Sequence, residues 1–160
     1  MSFDIEVLTK YWPMFLDGLA VTLALFIISL AASLVIGTAV ALARLARRRA
    51  VRLIAAAYIE FVRNIPFMIL VFLVFFVLPF YGVRLQAFQV GVIALTIYGG
   101  AYFAEIIRAA ILSVPKGQLE AARSLGLSYG QAMRHVILPQ TSSFLIPPAT
   151  NQAIMMVKET

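Results

Sequence analysis

Charged residues leave long gaps along this chain, and the gaps predict its architecture. No residue from Gly18 to Ala43 is charged. At ~1.5 Å per residue that run makes about 39 Å of helix, more than the roughly 30 Å of a bilayer core. A second run is interrupted: Leu53 to Ile59 is apolar, Glu60 and Arg63 intrude, and Asn64 to Val83 is again uncharged. Pro66 is placed to bend it. The third run, Leu85 to Ala104, ends in Glu105 and Arg108, and the fourth, His135 to Val157, carries only the histidine. Pro147-Pro148 predicts a break in the fourth. The expectation is one all-α integral membrane domain of 160 residues, with spans at about 18–43, 53–80, 86–108 and 140–158 and a polar loop at about 109–139.

Composition agrees. The chain is 62% hydrophobic and 12% charged, against roughly 45–50% and about 25% in soluble domains. With no cysteine and one histidine, neither a disulfide framework nor a thiolate or His-rich metal site is available, so no metal is expected. The net charge of +6 does not form a basic stripe with interleaved aromatics, which argues against nucleic acid. It reports topology instead. Arg44, Arg47, Arg48, Arg49 and Arg52 lie between the first two spans, Arg84 alone between the next two, and Arg108, Lys116, Arg123 and Arg134 in or beside the polar loop. By the positive-inside rule both Arg-rich segments are cytoplasmic and the N-terminus is outside. The Met1 to Asp17 segment is acidic on balance, so the first run reads as a retained helix and not a secretion signal. The Arg cluster serves as a topology anchor, with anionic lipid headgroups as the alternative ligand.

The polar loop carries its own punctuation, SVPKGQLEAARSLGLSYGQAMRHVILPQ from Ser113 to Gln140. Pro115 and Gly117 are expected to end the third span, and Gln118 to Leu125 to form a short helix closed by Gly126 as the residue after the C-cap. Ser128 and Gln131 have capping-box spacing, so a second helix should start there and run toward Pro139. Leu119, Ala122 and Leu125 fall on one face of the first. A helix of two turns is marginal alone, so it either folds against its own loop or docks on another protein.

Here the residues carry a resemblance. Glu120-Ala121-Ala122, then Gly126, then Ile137-Leu138-Pro139 resembles the EAA motif of ATP-binding-cassette (ABC) importer permeases. Tyr58-Ile-Glu60-Phe-Val-Arg63-Asn-Ile-Pro66, Val136-Ile-Leu-Pro139-Gln140, and Pro147-Pro148 followed by Asn151 and Lys158 resemble the polar amino acid type, the histidine, glutamine, glutamate, arginine and opine permeases. The resemblance implies a type I ABC importer permease fold in the bacterial cytoplasmic membrane. It implies coupling helices that sit on the ATPase, with Gln118, Glu120, Ala121, Ala122, Leu125 and Gly126 as the contact. It implies two ATPase subunits, a second permease subunit, identical or not, an extracytoplasmic amino-acid-binding protein, and surrounding membrane lipid. Members of the family continue past a K-x-[ST]-S-L-like stretch to a fifth helix, whereas this sequence stops at Lys158-Glu159-Thr160, so a C-terminal truncation is expected.

No G-x-x-x-x-G-K-[ST] loop occurs, so ATP is expected on the partner and no cofactor on this chain. No nucleophile-base pair is apparent either, so no catalysis is expected here. Glu60 and Arg63 stand about two and three turns in from Arg52 and can pair across one face. Charges at that depth usually face protein or a water-filled path, so the pair either pins structure, gates, or meets a zwitterion. Glu105 and Arg108 repeat the spacing, with structural pinning or Arg108 snorkelling as the plainer role. A break at Pro147-Pro148 would expose half-helix N–H groups to a substrate carboxylate, which places Asn151, Lys158 and Glu159 near a translocation path, with Glu159 or Glu60 meeting an α-ammonium. Ser33, Gly37 and the Gly99-Gly100 pair read as close-packing positions. The alternatives are a permease for another small solute and a membrane scaffold with no path of its own.

Overall fold

The structure, a computed structural model, describes the backbone from Ile5 to Thr160 and side chains from Lys10 onward. The expectation drawn from the extreme N-terminus rests in part on residues 1–4, outside the described residues. Every regular element among the described residues is helical. Helix α1 is Ile5–Arg44, α2 Arg49–Arg63, and α3 Phe67–Phe72, which continues through a π turn (Leu73–Val77) and a 3-10 turn (Leu78–Tyr81). Helix α4 is Ala87–Leu112, α5 Lys116–Ser124 and α6 Tyr129–Ala132; a π turn (Met133–Ile137) leads into α7, Leu138–Glu159. Lys10–Arg44 and Ala87–Leu112 are long and apolar enough to cross a membrane. The pair Arg49–Arg63 and Phe67–Tyr81, bent by 107°, adds a third if taken as one span.

Helices α1 and α4 form the spine. Ser29, Ser33, Gly37 and Ala41 recur every fourth residue on α1, so they stack along one stripe, and all four are buried. Without large side chains there, the backbones close up, which is how helices associate when lipid removes the hydrophobic drive. Ser29 Oγ donates to Val92 O at 3.4 Å, and Ser33 Oγ to Leu95 O and Thr96 O at 3.3 Å each. A Cβ on Gly37 would stand 2.7 Å from Phe103 Cβ, 3.1 Å from Ala104 N and 3.2 Å from Gly100 O. Gly37→Ala must therefore push the helices apart, at about 1–3 kcal/mol for overpacking. The thermal midpoint of the purified protein should drop. Gly18→Ala, where a Cβ meets nothing within 4 Å, should leave it unchanged or slightly higher.

The register gives direction. Leu25 meets Gly91, Ser29 meets Val92, Ser33 meets Leu95 and Gly99, and Gly37 meets Gly100 and Phe103. Both series ascend, so α1 and α4 run parallel, and residues 45–86 must carry the chain back along them. The bent pair does this. Ile59 packs with Ala104, Val62 and Leu70 with Ala101, and Val74 with Ala94 and Val90, descending α4 step by step. Helix α7 also runs against α4, with Met156 on Leu95 and Phe103, and Pro148 beside Ala109 and Ala110.

Pro66 bends the second run as expected, the turn beginning at Asn64. The prolines of α7 do not behave as expected. Pro147 and Pro148 lie inside an unbroken helix, so no half-helix N-terminus forms at membrane depth. What the ring removes is a donor at its own nitrogen, which leaves the carbonyls of Ser143 and Phe144 without their usual partners. Pro139 likewise fails to end the second loop helix. Leu138 N–H bonds to Met133 O across the preceding π turn, and that wider turn relieves the clash a proline ring makes with the previous turn. Gln140 Nε2 and Thr141 Oγ1 donate to Val136 O (3.0 Å) and Ile137 O (2.9 Å) beside it.

Candidate functional site

Two places in the fold gather chemistry. The first is the insert between α4 and α7. Helix α4 stops at Leu112, and Pro115 then caps the start of α5. Gly117 is therefore inside α5 and does not help end the previous helix. Gly126 has φ +83°, the left-handed conformation that glycine adopts without strain. Its N–H bonds to Arg123 O at 3.0 Å and the next one, Leu127 N–H, to Ala122 O at 3.3 Å; together they make a Schellman motif. Ser128 then opens α6 with a reciprocal capping box: Gln131 N–H to Ser128 Oγ at 3.3 Å, Ser128 N–H to Gln131 Oε1 at 2.9 Å.

The insert is both folded and presented. Ala122 is buried, and Leu119 helps line a cavity of about 250 Å³ with Val114, Tyr129, Met133 and Ile137. Gln118, Glu120, Ala121, Leu125 and Gly126 are exposed. Leu125 does not share a face with Leu119 and Ala122: it is the C-cap residue, where the helix has begun to unwind, and is 83% exposed. Gln140 Nε2 donates to Gln118 Oε1 at 3.2 Å, so the root of α7 is tied to the first turns of α5.

The second place is a cavity of about 280 Å³ among α2, α4 and α7, lined by Arg63, Tyr102, Glu105, Phe144 and Pro148 among others. Arg63 does not pair with Glu60. Its guanidinium carbon lies 5.1 Å from the Tyr102 ring centroid, a cation–π contact. Glu105 and Arg108 do pair, Arg108 Nε to Glu105 Oε2 at 3.0 Å with a second guanidinium nitrogen on the other oxygen. It is the one ion pair among the described residues. The Glu105 charge is thus already balanced, and Arg63 is the cation left to the cavity. Of the two residues whose carbonyls Pro147 and Pro148 free, Phe144 lines the α7 wall.

Glu60, Asn151, Lys158 and Glu159 are exposed, and none of them lines this cavity. Arg49, Arg52, Glu60 and Arg63 recur at helical spacing along one stripe of α2 that borders its buried Ala55, Ile59 and Val62. A stripe of that kind calls for protein or water opposite it. Reading the sequence alone missed Tyr102, which lies 39 positions from Arg63, and Gln152. Gln152 is buried beside exposed Asn151, and its Nε2 has no partner.

Known proteins share this sequence and fold. The family described as "Binding-protein-dependent transport system inner membrane component" matches residues 33–160. The chain is 47% identical over 155 residues to a protein of Bacillus subtilis (strain 168) named as a probable glutamine ABC transporter permease, covering 97% of this chain and 72% of that one. It is 36% identical over 162 aligned positions to the glutamine transport system permease of Escherichia coli (strain K12), covering 100% and 74%. Among solved structures, the crystal structure of an amino acid ABC transporter with histidines superposes with a TM-score of 0.91 at 40% identity, covering 99% of this chain and 74% of that one.

Proposed function

This chain belongs to the family of binding-protein-dependent transport system inner membrane components, and from that premise we propose that it forms the path for a polar amino acid in an ATP-driven importer. The observation that carries the reading is the insert, a folded platform that holds Glu120, Ala121 and Leu125 outward while Gln140 ties it to α7. ATP is hydrolysed on separate ABC subunits that receive this platform. A second permease subunit and an extracytoplasmic binding protein complete the assembly, and ATP-driven closure alternates access to the path. The N-terminus is outside. Parallel α1 and α4 support that orientation, since they put the Arg-rich 44–52 loop and the insert at the same end, and positive charge marks the cytoplasmic one.

In the cavity, Arg63 meets the substrate carboxylate, and the Phe144 carbonyl on α7 meets the α-ammonium. Glu60, Asn151, Lys158 and Glu159 belong to the wider path that the second subunit completes.

The test is ATP hydrolysis by the full permease in lipid with its ATPase and binding protein, across a panel of amino acids. Stimulation by the binding protein loaded with one polar amino acid, with uptake of the same compound, is expected. An assembly that binds the ATPase yet responds to no amino acid would move the substrate class elsewhere. One that binds no ATPase would make the chain a scaffold.

A further inference from the structure

The loop between α1 and α2 joins two features that the transport reading does not use. Arg47, Arg48, Arg49 and Arg52 are all exposed, and none is in an ion pair among the described residues. Between Asp17 and Glu60 the sequence holds no acidic residue to balance them. Helix α2 also opens without any side-chain cap at Arg48 and without an acid in its first turn. Directly above, between the same two helices, runs an apolar groove of about 350 Å³ lined by Val40, Ala43, Val51, Ile54, Ala55 and Tyr58. Ile54 is 72% exposed along it. Because α1 is a membrane-spanning helix that ends at Arg44, the groove sits at acyl-chain depth and the arginines at headgroup depth.

From this geometry we propose that the α1–α2 corner is a binding site for one anionic glycerophospholipid, its phosphate held by Arg47, Arg48 and Arg52 and an acyl chain laid in the Val40–Tyr58 groove. Charge complementarity selects the occupant. A zwitterionic lipid would bring a cation of its own to a surface that has no anion for it, and an aqueous anion would leave the groove empty. Topology alone explains the arginines but not the groove at their foot. The groove alone would accept any lipid.

The experiment uses the assembled transporter, with the full permease chain, reconstituted in an equal mixture of phosphatidylglycerol and phosphatidylcholine. The lipids retained after detergent extraction are then counted by native mass spectrometry. Wild type should keep one phosphatidylglycerol per permease chain in preference to phosphatidylcholine. Arg47→Gln/Arg48→Gln leaves three arginines to hold topology, checked by a terminal reporter, and should cut the preference about 30-fold, at roughly a kilocalorie per basic residue near an anionic surface. Ala43→Phe fills the groove with every arginine in place and should lower retention of either lipid. Ile54→Asn, on the exposed edge, should do the same without risk to the packing. Equal retention of the two lipids by wild type, or unchanged retention in the arginine variant, would reduce the cluster to a topology anchor. Unchanged retention in both groove variants would overturn the seat for the acyl chain. Absence of any retained lipid would mean that another subunit covers the corner.

Discussion

Glu120→Arg should leave the permease inserted, folded and paired, and should abolish substrate-stimulated ATP hydrolysis. Glu120 is exposed on α5 and forms no ion pair among the described residues. Its backbone is supported independently, through Ser124 Oγ on the Glu120 carbonyl at 3.0 Å and the Schellman bonds at Gly126. Surface changes away from caps and cores stay within about 0.5 kcal/mol of wild type, so folding is insulated. Docking is not, because placing a like charge in an interface costs several kcal/mol and about 3 kcal/mol already weakens binding roughly 150-fold. Leu125→Asp should act in parallel, since it removes the most exposed apolar side chain of the platform and buries a carboxylate in its place. Gly126→Ala should be milder: it strains the left-handed turn by roughly 1–2 kcal/mol and tilts the platform without changing its surface. Hydrolysis and co-purification of the ATPase, measured on all three, would separate these effects. Wild-type stimulation in Glu120→Arg would remove α5 as the coupling contact.

How much of this was legible in the sequence follows from the range of each interaction. The capping box at Ser128 and Gln131 and the left-handed Gly126 were read correctly, because each is decided within about five residues by backbone groups that need a partner. The small residues at Ser33, Gly37 and Gly99 were legible as packing positions for a related reason: their spacing defines a stripe, although not which helix it meets. The prolines misled. Pro147, Pro148 and Pro139 obey local rules about donors, yet whether a helix survives losing a donor depends on the turn before it and the helices around it. The partner of Arg63 and the face of Leu125 were obscured in the same way. A charged residue with an opposite charge one turn away looks paired, and Leu125 looks as if it shared a face with Leu119 and Ala122, until the position of Tyr102 on α4 or the unwinding at the C-cap is known. The cavity could not be read locally at all, since three helices supply its walls.

That cavity leads to the second large effect. Arg63→Gln should cut amino acid uptake about 30-fold or more, while Glu60→Gln, one turn away on the same helix, should change it by no more than about fivefold. The asymmetry comes from the surroundings. Glu105 is neutralised by Arg108, so removing the Arg63 guanidinium leaves no uncommitted cation among the residues that line the cavity. A substrate carboxylate brought there would lose its partner away from bulk water, and truncating one side of a desolvated charge pair costs 2–5 kcal/mol, of which about 2 already gives the 30-fold. Glu60 lies outside the lining and is exposed on this subunit, so it faces the wider path, where a hydrated charge is worth at most about 1 kcal/mol. Tyr102→Leu should fall between, since it removes only the ring that holds the guanidinium in place, a contact worth about 0.5–2 kcal/mol. Tyr102→Phe keeps the ring and should transport like wild type. Uptake rates in vesicles, with binding-protein-stimulated ATP hydrolysis as the control for assembly, decide the matter. If Glu60→Gln is silent and Arg63→Gln remains active, the charged stripe of α2 only pins the helix. If Glu60→Gln is the inactive one, the carboxylate that works in the path is on α2 and the cavity beside Tyr102 is a packing defect.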